Sequence, residues 1–276
     1  GVDYYGYHYH WNAAYNYSNQ IGMDLFNPSY DASDIEDLGD YTSSRVSMKN
    51  VGAYVQEHAK YGKWTFTGSL RWDGVDSNSY GTKTYDLAYT PRVGVTYAFL
   101  PGSIVYGSYS TSFLPQSGTT YEGEALKPET GRQWETGVKS NFLDGKVTLT
   151  SSLFWISRSN VSNTDSEHPN YYNTTGKERS RGFEFSGQWQ ITSNWQANVN
   201  YTYTDAVVKE DYTIASGTQL RNEPMNMINA WSRYRFDRGL LKGLAISGGV
   251  YPLFQPGPVM IRIPSACRPI RWSMVS

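Results

Sequence analysis

The stretch KWTFTGSLRWDG, residues 63–74, constrains this chain more than any other feature, because it alternates without a break. Trp64, Phe66, Leu70 and Trp72, with Gly68 among them, fall on one face of an extended strand. Thr65, Thr67, Ser69, Arg71 and Asp73 fall on the other, since successive side chains point to opposite sides. One face calls for a greasy medium and the other for water. Eleven segments of this period run to about residue 251, and no helical period competes over a comparable length. In YYGYHYHWNAAY the odd positions Tyr5, Tyr7, Tyr9 and Trp11 are aromatic, which assigns them to the apolar face and His8 and His10 to the polar one. In RGFEFSGQWQI, Phe183, Phe185, Trp189 and Ile191 oppose Glu184, Ser186, Gln188 and Gln190.

The connections alternate in length. YGK, LPGS, LDGK and TSN are tight polar or glycine-containing turns of the hairpin kind. Between them lie longer links at about 18–46, 76–88, 112–130, 159–175 and 207–223. Tight turns on one rim and long loops on the other describe an outer-membrane barrel.

Composition agrees and excludes other classes. Only 39% of the 276 residues are hydrophobic and the mean hydropathy is -0.57, so transmembrane helices are excluded. Transmembrane strands are not, because they need only every second residue apolar. A soluble sandwich also pairs apolar faces, but its strands average about 5–6 residues, against the 9–13 read in these segments. A net charge of -1 gives no basic footprint for nucleic acid. The single cysteine, Cys267, precludes an internal disulfide or a cysteine-based zinc site. The fold expected is therefore all-β, an antiparallel up-and-down transmembrane β-barrel.

Several stretches, in order, carry a resemblance: GVDYY, LFNPSY, NVGAYVQEHAK, YSTSFLPQSG, LKPETGRQWETGVKSNF, GKERSRGFEFSGQWQ, YTYTDA and LRNEPMNMINAWSRYRF. Across residues 1 to about 251 the chain resembles the C-terminal barrel portion of TonB-dependent siderophore receptors, of the ferrichrome (ferric hydroxamate) type. The resemblance implies about half of a barrel of about 22 strands, with the plug domain and the TonB-contacting box lying upstream of this sequence. It implies residence in the bacterial outer membrane and uptake of a ferric siderophore, with energy supplied through TonB. The partners implied are the ferric siderophore, the TonB energy-transducing complex, and outer-membrane lipid and lipopolysaccharide. Iron arrives already held by its ligand, so no cofactor and no resident metal are expected.

Two regions follow: a partial barrel over 1–251 and an atypical tail over 252–276. PLFQPGPVMIRIPSACRPIRWSMVS loses alternation and gathers prolines. The codons permitted for Pro258 through Arg271 are compatible, two nucleotides out of frame, with the family's continuation. A frameshifted, truncated gene product whose last native residues lie near Gly249–Tyr251 is one expectation, and an unrelated natural tail is the other.

Tyr15 is the candidate ligand-binding residue, because the resemblance aligns it with a barrel-wall aromatic that touches the siderophore. Aromatics give an amphipathic ligand rigid contact area. Its parity with Trp11 argues instead for the aromatic rim. His8 and His10 share a face, but no third ligand has recognisable spacing, so a polar pair facing the lumen is expected. The loop DASDIEDLGD, with Asp31, Asp34, Glu36, Asp37 and Asp40, lacks EF-hand spacing and reads as solvated. Arg179, Arg181, Glu184, Glu135 and Lys139 read as lumen charges that pair across strands and hold barrel or plug positions. Nothing resembles a nucleophile–base pair or a phosphate loop, so catalysis is not implied. The alternatives to siderophore uptake are a passive porin-like channel and a soluble aromatic-rich β-protein binding glycans.

Overall fold

The computed structural model describes residues 1–13, 42–79, 81–168, 171–254 and 260–262. They form one antiparallel sheet of twelve strands in sequence order. The strands are β1 (Val2–Ala13), β2 (Thr42–Tyr61), β3 (Trp64–Ser79), β4 (Thr82–Leu100), β5 (Ser103–Leu114) and β6 (Glu129–Phe142), then β7 (Val147–Thr164), β8 (Tyr172–Gln190), β9 (Trp195–Glu210), β10 (Asn226–Arg235), β11 (Ala245–Phe254) and β12 (Met260–Arg262). Each of the eleven alternating segments forms a strand. Among the described residues β12 does not pair with β1, so the sheet is an unclosed wall.

Register assigns the two faces. Phe66 pairs with Val95, Val95 with Gly107, Gly107 with Thr136, Thr136 with Leu153, and Leu153 with Phe183, so the apolar residues of six strands share one side. Thr67, Gly94, Ser108, Glu135 and Phe154 form the adjacent row on the other side. Along β3 the odd-numbered polar side chains from Thr65 to Ser77 are half-buried or buried, while Trp64, Phe66 and Leu70 on the even-numbered face are exposed. A curved sheet crowds its concave side, so the polar face lines the lumen and the apolar face meets lipid.

The tight turns are as the sequence indicates, with positive φ at Gly62 (57°), Gly102 (74°) and Gly145 (82°), the region glycine enters without a steric penalty. The opposite rim differs from expectation. The link expected at 76–88 is instead largely a continuation of β3, which runs to Ser79, and of β4, which starts at Thr82. Polar residues there still pair, with Ser77 hydrogen-bonded to Thr84, because beyond the bilayer a strand needs ladder bonds but no apolar face. The other links shorten for the same reason, to 115–128, 165–171 and 211–225, and the longest strand reaches 20 residues, not 13.

The face of β1 is a correction. Tyr4 pairs with Val51 and Asp3 with Gly52, while Gly52 pairs with Asp73 of the lumen face. Tyr5, Tyr7 and Tyr9 therefore face the lumen, and His8 and His10 face outward. Tyrosine suits either medium, so aromatic content misassigns this strand; Asp3, which shares the parity of the tyrosines, is the signal that assigns it.

Candidate functional site

The lumen face carries three polar clusters, each spanning several strands. In the first, Arg71 on β3 donates from Nη1 and Nη2 to the two carboxylate oxygens of Asp3 on β1 (2.8 and 3.0 Å). It also donates from Nε and Nη2 to Asp73 (2.8 and 2.6 Å). The guanidinium crosses β2 over Gly52, where a Cβ would overlap it. Fork geometry and delocalised charge suit arginine to holding two carboxylates at once. Asp73 is buried and Asp3 half-exposed.

The second cluster lies on one cross-strand row: Tyr106 on β5, Gly137 on β6, Ser152 on β7 and Glu184 on β8. Tyr106 lies over Gly137, where an added Cβ would come within 2.8 Å of the ring. Its hydroxyl donates to Glu135 (2.6 Å), which also accepts from Gln133 (3.0 Å). Among the described residues no lysine or arginine forms an ion pair with Glu135 or Glu184. Two carboxylates on a water-lined wall thus offer acceptors that this segment leaves to neutral donors.

The third cluster stands toward the long-loop rim. Arg158 on β7 bridges Glu129 on β6 and Glu178 on β8, at 2.7 Å to each. Above it the loops are tied together. Gln116 donates to the carbonyls of Lys127 and Asn160 (2.6 Å each), and the Tyr172 amide donates to Thr119 (3.2 Å). Tyr121 stacks on His168 at 3.5 Å between centroids, with Tyr171 edge-on to Tyr121 at 5.4 Å.

Two loop aspartates act as local caps. Asp165 accepts from the backbone amides of Glu167 and His168 and from the His168 ring. The Glu167 amide foremost holds the Asp165 carboxyl below the ordinary carboxylate value. At Asp211 burial raises the pKa, but the amides of Thr213 and Ile214, the Thr213 hydroxyl and Asn163 together outweigh it and leave it lowered.

Of the residues singled out from sequence, Glu135, Lys139 and Glu184 face the lumen as expected. Arg179 and Arg181 do not. They lie on the outer face, with Trp155 opposite Arg181 in register, and both bond Asp205 (2.7 and 2.9 Å). Pairing across strands holds; the face does not. Tyr15 and the acidic stretch from Asp31 to Asp40 lie outside the described residues, as does most of the tail. Among the described residues no three metal-ligating side chains cluster. The Asp3–Arg71–Asp73 bridge and the Tyr121–His168 stack were not read from sequence. The first has a trace there, an arginine and an aspartate two apart on a polar face; the second has none, since it joins two loops.

The arrangement offers fixed charges, hydrogen-bond donors and aromatic faces along a wall. Comparison with known proteins places it. Residues 1–258 match the family model described as TonB dependent receptor-like, beta-barrel. The ferrichrome outer membrane transporter/phage receptor of Escherichia coli is 32% identical, over 87% of this chain and 34% of its own length. The ferrioxamine B receptor of Salmonella typhimurium is 29% identical over 83% of this chain and 33% of its own. The metal-pseudopaline receptor of Pseudomonas aeruginosa is 38% identical over 56% of this chain and 22% of its own. The chain thus spans between about a fifth and a third of the length of these relatives. Among solved structures, the ferripyoverdine receptor of the Pseudomonas aeruginosa outer membrane superposes with a TM-score of 0.70 at 20% identity, covering 91% of this chain and 35% of that one. Alternation, register, rim asymmetry and the match over residues 1–258 converge: the chain belongs to the TonB-dependent receptor β-barrel family, whose barrels sit in the bacterial outer membrane.

Proposed function

We propose that these strands form part of the wall of a receptor that imports a ferric siderophore, with energy supplied through TonB. The observation that carries this reading is the family match over residues 1–258 together with relatives named for ferrichrome and ferrioxamine B. The family is one of transport receptors, and the wall's task is recognition and passage, with no bond of the protein's own made or broken. Glu135 and Glu184 supply acceptors for basic side chains of a plug seated in the lumen, because they face it without a cation of their own.

Tyr15 is the wall aromatic proposed to touch the ligand. Its support is the resemblance alone, which aligns it with a barrel-wall aromatic that touches the siderophore. The test is uptake and binding of ferrichrome and ferrioxamine B by the receptor carrying these strands, with Tyr15→Ala beside the unaltered protein. Truncating a contact aromatic is expected to weaken binding by about 1–2 kcal/mol while the receptor still inserts. Uptake that continues without TonB would point to a passive channel and overturn the reading. For residues 252–276 we propose a shifted reading frame; the nucleotide sequence over Pro258–Arg271 decides it.

A further inference from the structure

The lumen face carries two acceptors that this wall supplies with no donor. Asn50 on β2, Val75 on β3 and Asp86 on β4 form one cross-strand row, with Tyr5 of β1 beside Asn50. Val75 is fully buried between its two polar neighbours. Asn50 is 6% exposed, and its Oδ1 is buried with no hydrogen-bond partner among the described residues. Asp86 is half-buried, and among the described residues it forms no ion pair. Burial holds its carboxyl above the ordinary carboxylate value, with no donor to offset it. Two strand spacings, about 10 Å, separate the Asn50 and Asp86 backbones, and on a concave face their side chains converge. Desolvated acceptors left unpaired are costly, so the row calls for a cationic donor from outside this wall.

The charge around the row has one sign. Asp3 and Asp73 stand in the next lumen row toward the tight turns, and Arg71 is already shared between them. Lys49 and Lys83 belong to the outer face, in register with Asp76 and Asn78. On the lumen face Arg92 lies six residues along β4 from Asp86, about 20 Å away. Further cations gather at the tight-turn end, with Lys60 opposite Thr65 and Arg233 opposite Gln196. Asp86 itself stands fourteen residues from the turn-side end of β4 at Leu100. That is about 46 Å along a strand tilted roughly 40°, or about 35 Å of rise. An apolar band of about 25 Å ends below it, so the row lines the mouth on the long-loop side.

We propose that Asn50 and Asp86 take a primary ammonium group of the imported ferric siderophore, so that this wall favours a positively charged cargo over a neutral one. An ammonium brings three N–H donors and no acceptor, which suits two acceptors that lack donors. Asp86 supplies the opposite charge, and Asn50 fixes the direction of approach. The negative mouth draws such a cargo in, while the cations at the far end oppose its settling deeper. The inference rests on the uptake reading above and adds to it the class of cargo.

The test uses the receptor carrying these strands, in non-ionic detergent, with binding read by quenching of its tryptophan fluorescence. The probes are ferrioxamine B, which carries a free primary amine, and the same complex with that amine acetylated, which removes the charge and leaves the iron centre as it was. The unaltered protein is expected to bind the amine form about tenfold more tightly than the acetylated form. Asp86→Asn should bring the amine form down to the level of the acetylated one. Asp86→Glu should keep part of the preference, which a merely structural role for the residue would not do. Asn50→Leu should narrow the preference without removing it. Equal binding of the two forms by the unaltered protein, or a preference that survives Asp86→Asn, would overturn the proposal and leave the uptake reading standing. Added calcium that erases the preference would assign the pair to an inorganic ion and overturn it as well. A receptor that binds neither form, nor ferrichrome, would overturn the uptake reading and this inference with it.

Discussion

Arg71 and Asp3 meet across an intervening strand, through the space left by the missing side chain of Gly52. The bridge pins β1 to β3 as well as to its neighbour β2, and it brings a second carboxylate, Asp73, onto the same guanidinium. The two halves of this bridge differ in burial, so they should differ in energetic weight.

Arg71→Met leaves the buried Asp73 without its cation and is expected to cost about 2 kcal/mol. Asp3→Asn removes only a half-exposed partner and should cost less than about 1 kcal/mol. Heat-modifiability on gels, read as the midpoint of barrel unfolding, orders the two. Equal midpoints would show that Asp73 is solvated and that the bridge is peripheral.

Tyr106→Phe removes the hydroxyl that bonds the half-buried Glu135. A loss of about 1–2 kcal/mol is expected, because the carboxylate retains Gln133 but loses its shorter bond. Pairing Tyr106→Phe with Glu135→Gln in a double-mutant cycle isolates the coupling; additive midpoints would remove the claim that the two groups interact.

Two glycines make opposite predictions. At Gly182 an added Cβ would strike the Tyr203 carbonyl and come within 2.7 Å of Phe154 Cζ, so Gly182→Ala is expected to destabilise by about 1–3 kcal/mol. At Gly248 it would meet nothing within 4 Å, and Gly248→Ala should be neutral or stabilising by up to about 1 kcal/mol. Similar midpoints for both variants would contradict the packing described.

Acid should loosen two loops. The Asp165 and Asp211 carboxyls titrate below the ordinary value of 3.8, so each favours the ordered loop above that value. The contribution disappears as pH falls through the lowered native pKa. Spin labels at Ser166 and Ser216 should be restrained near pH 6 and mobile near about pH 2. Asp165→Asn with Asp211→Asn should flatten that change; labels equally restrained at both pH values would sink the capping role.

Alternation alone made the strands, their order and the tight rim legible, because a two-residue period and a hairpin turn are properties of neighbouring residues. Strands that face lipid on one side must write that fact into every second position, as β3 does from Trp64 to Asp73. Where both sides are wet the signal stops while pairing continues, which is why Ser77 and Thr84 read as a loop and fold as a ladder.

The outward turn of Arg179 and Arg181 and the crossing of Arg71 to Asp3 were decided only in three dimensions, and the face of β1, which Asp3 alone marks in the sequence, was fixed by register. Tyrosine and arginine carry both apolar and polar surface, so their side of the sheet is set by register with the next strand and not by their own chemistry. Sequence by itself determined that one side of this chain is greasy and the other wet. The tertiary structure decided which ambiguous residues stand on which side, because hydrogen-bonded pairing propagates one strand's assignment to the next.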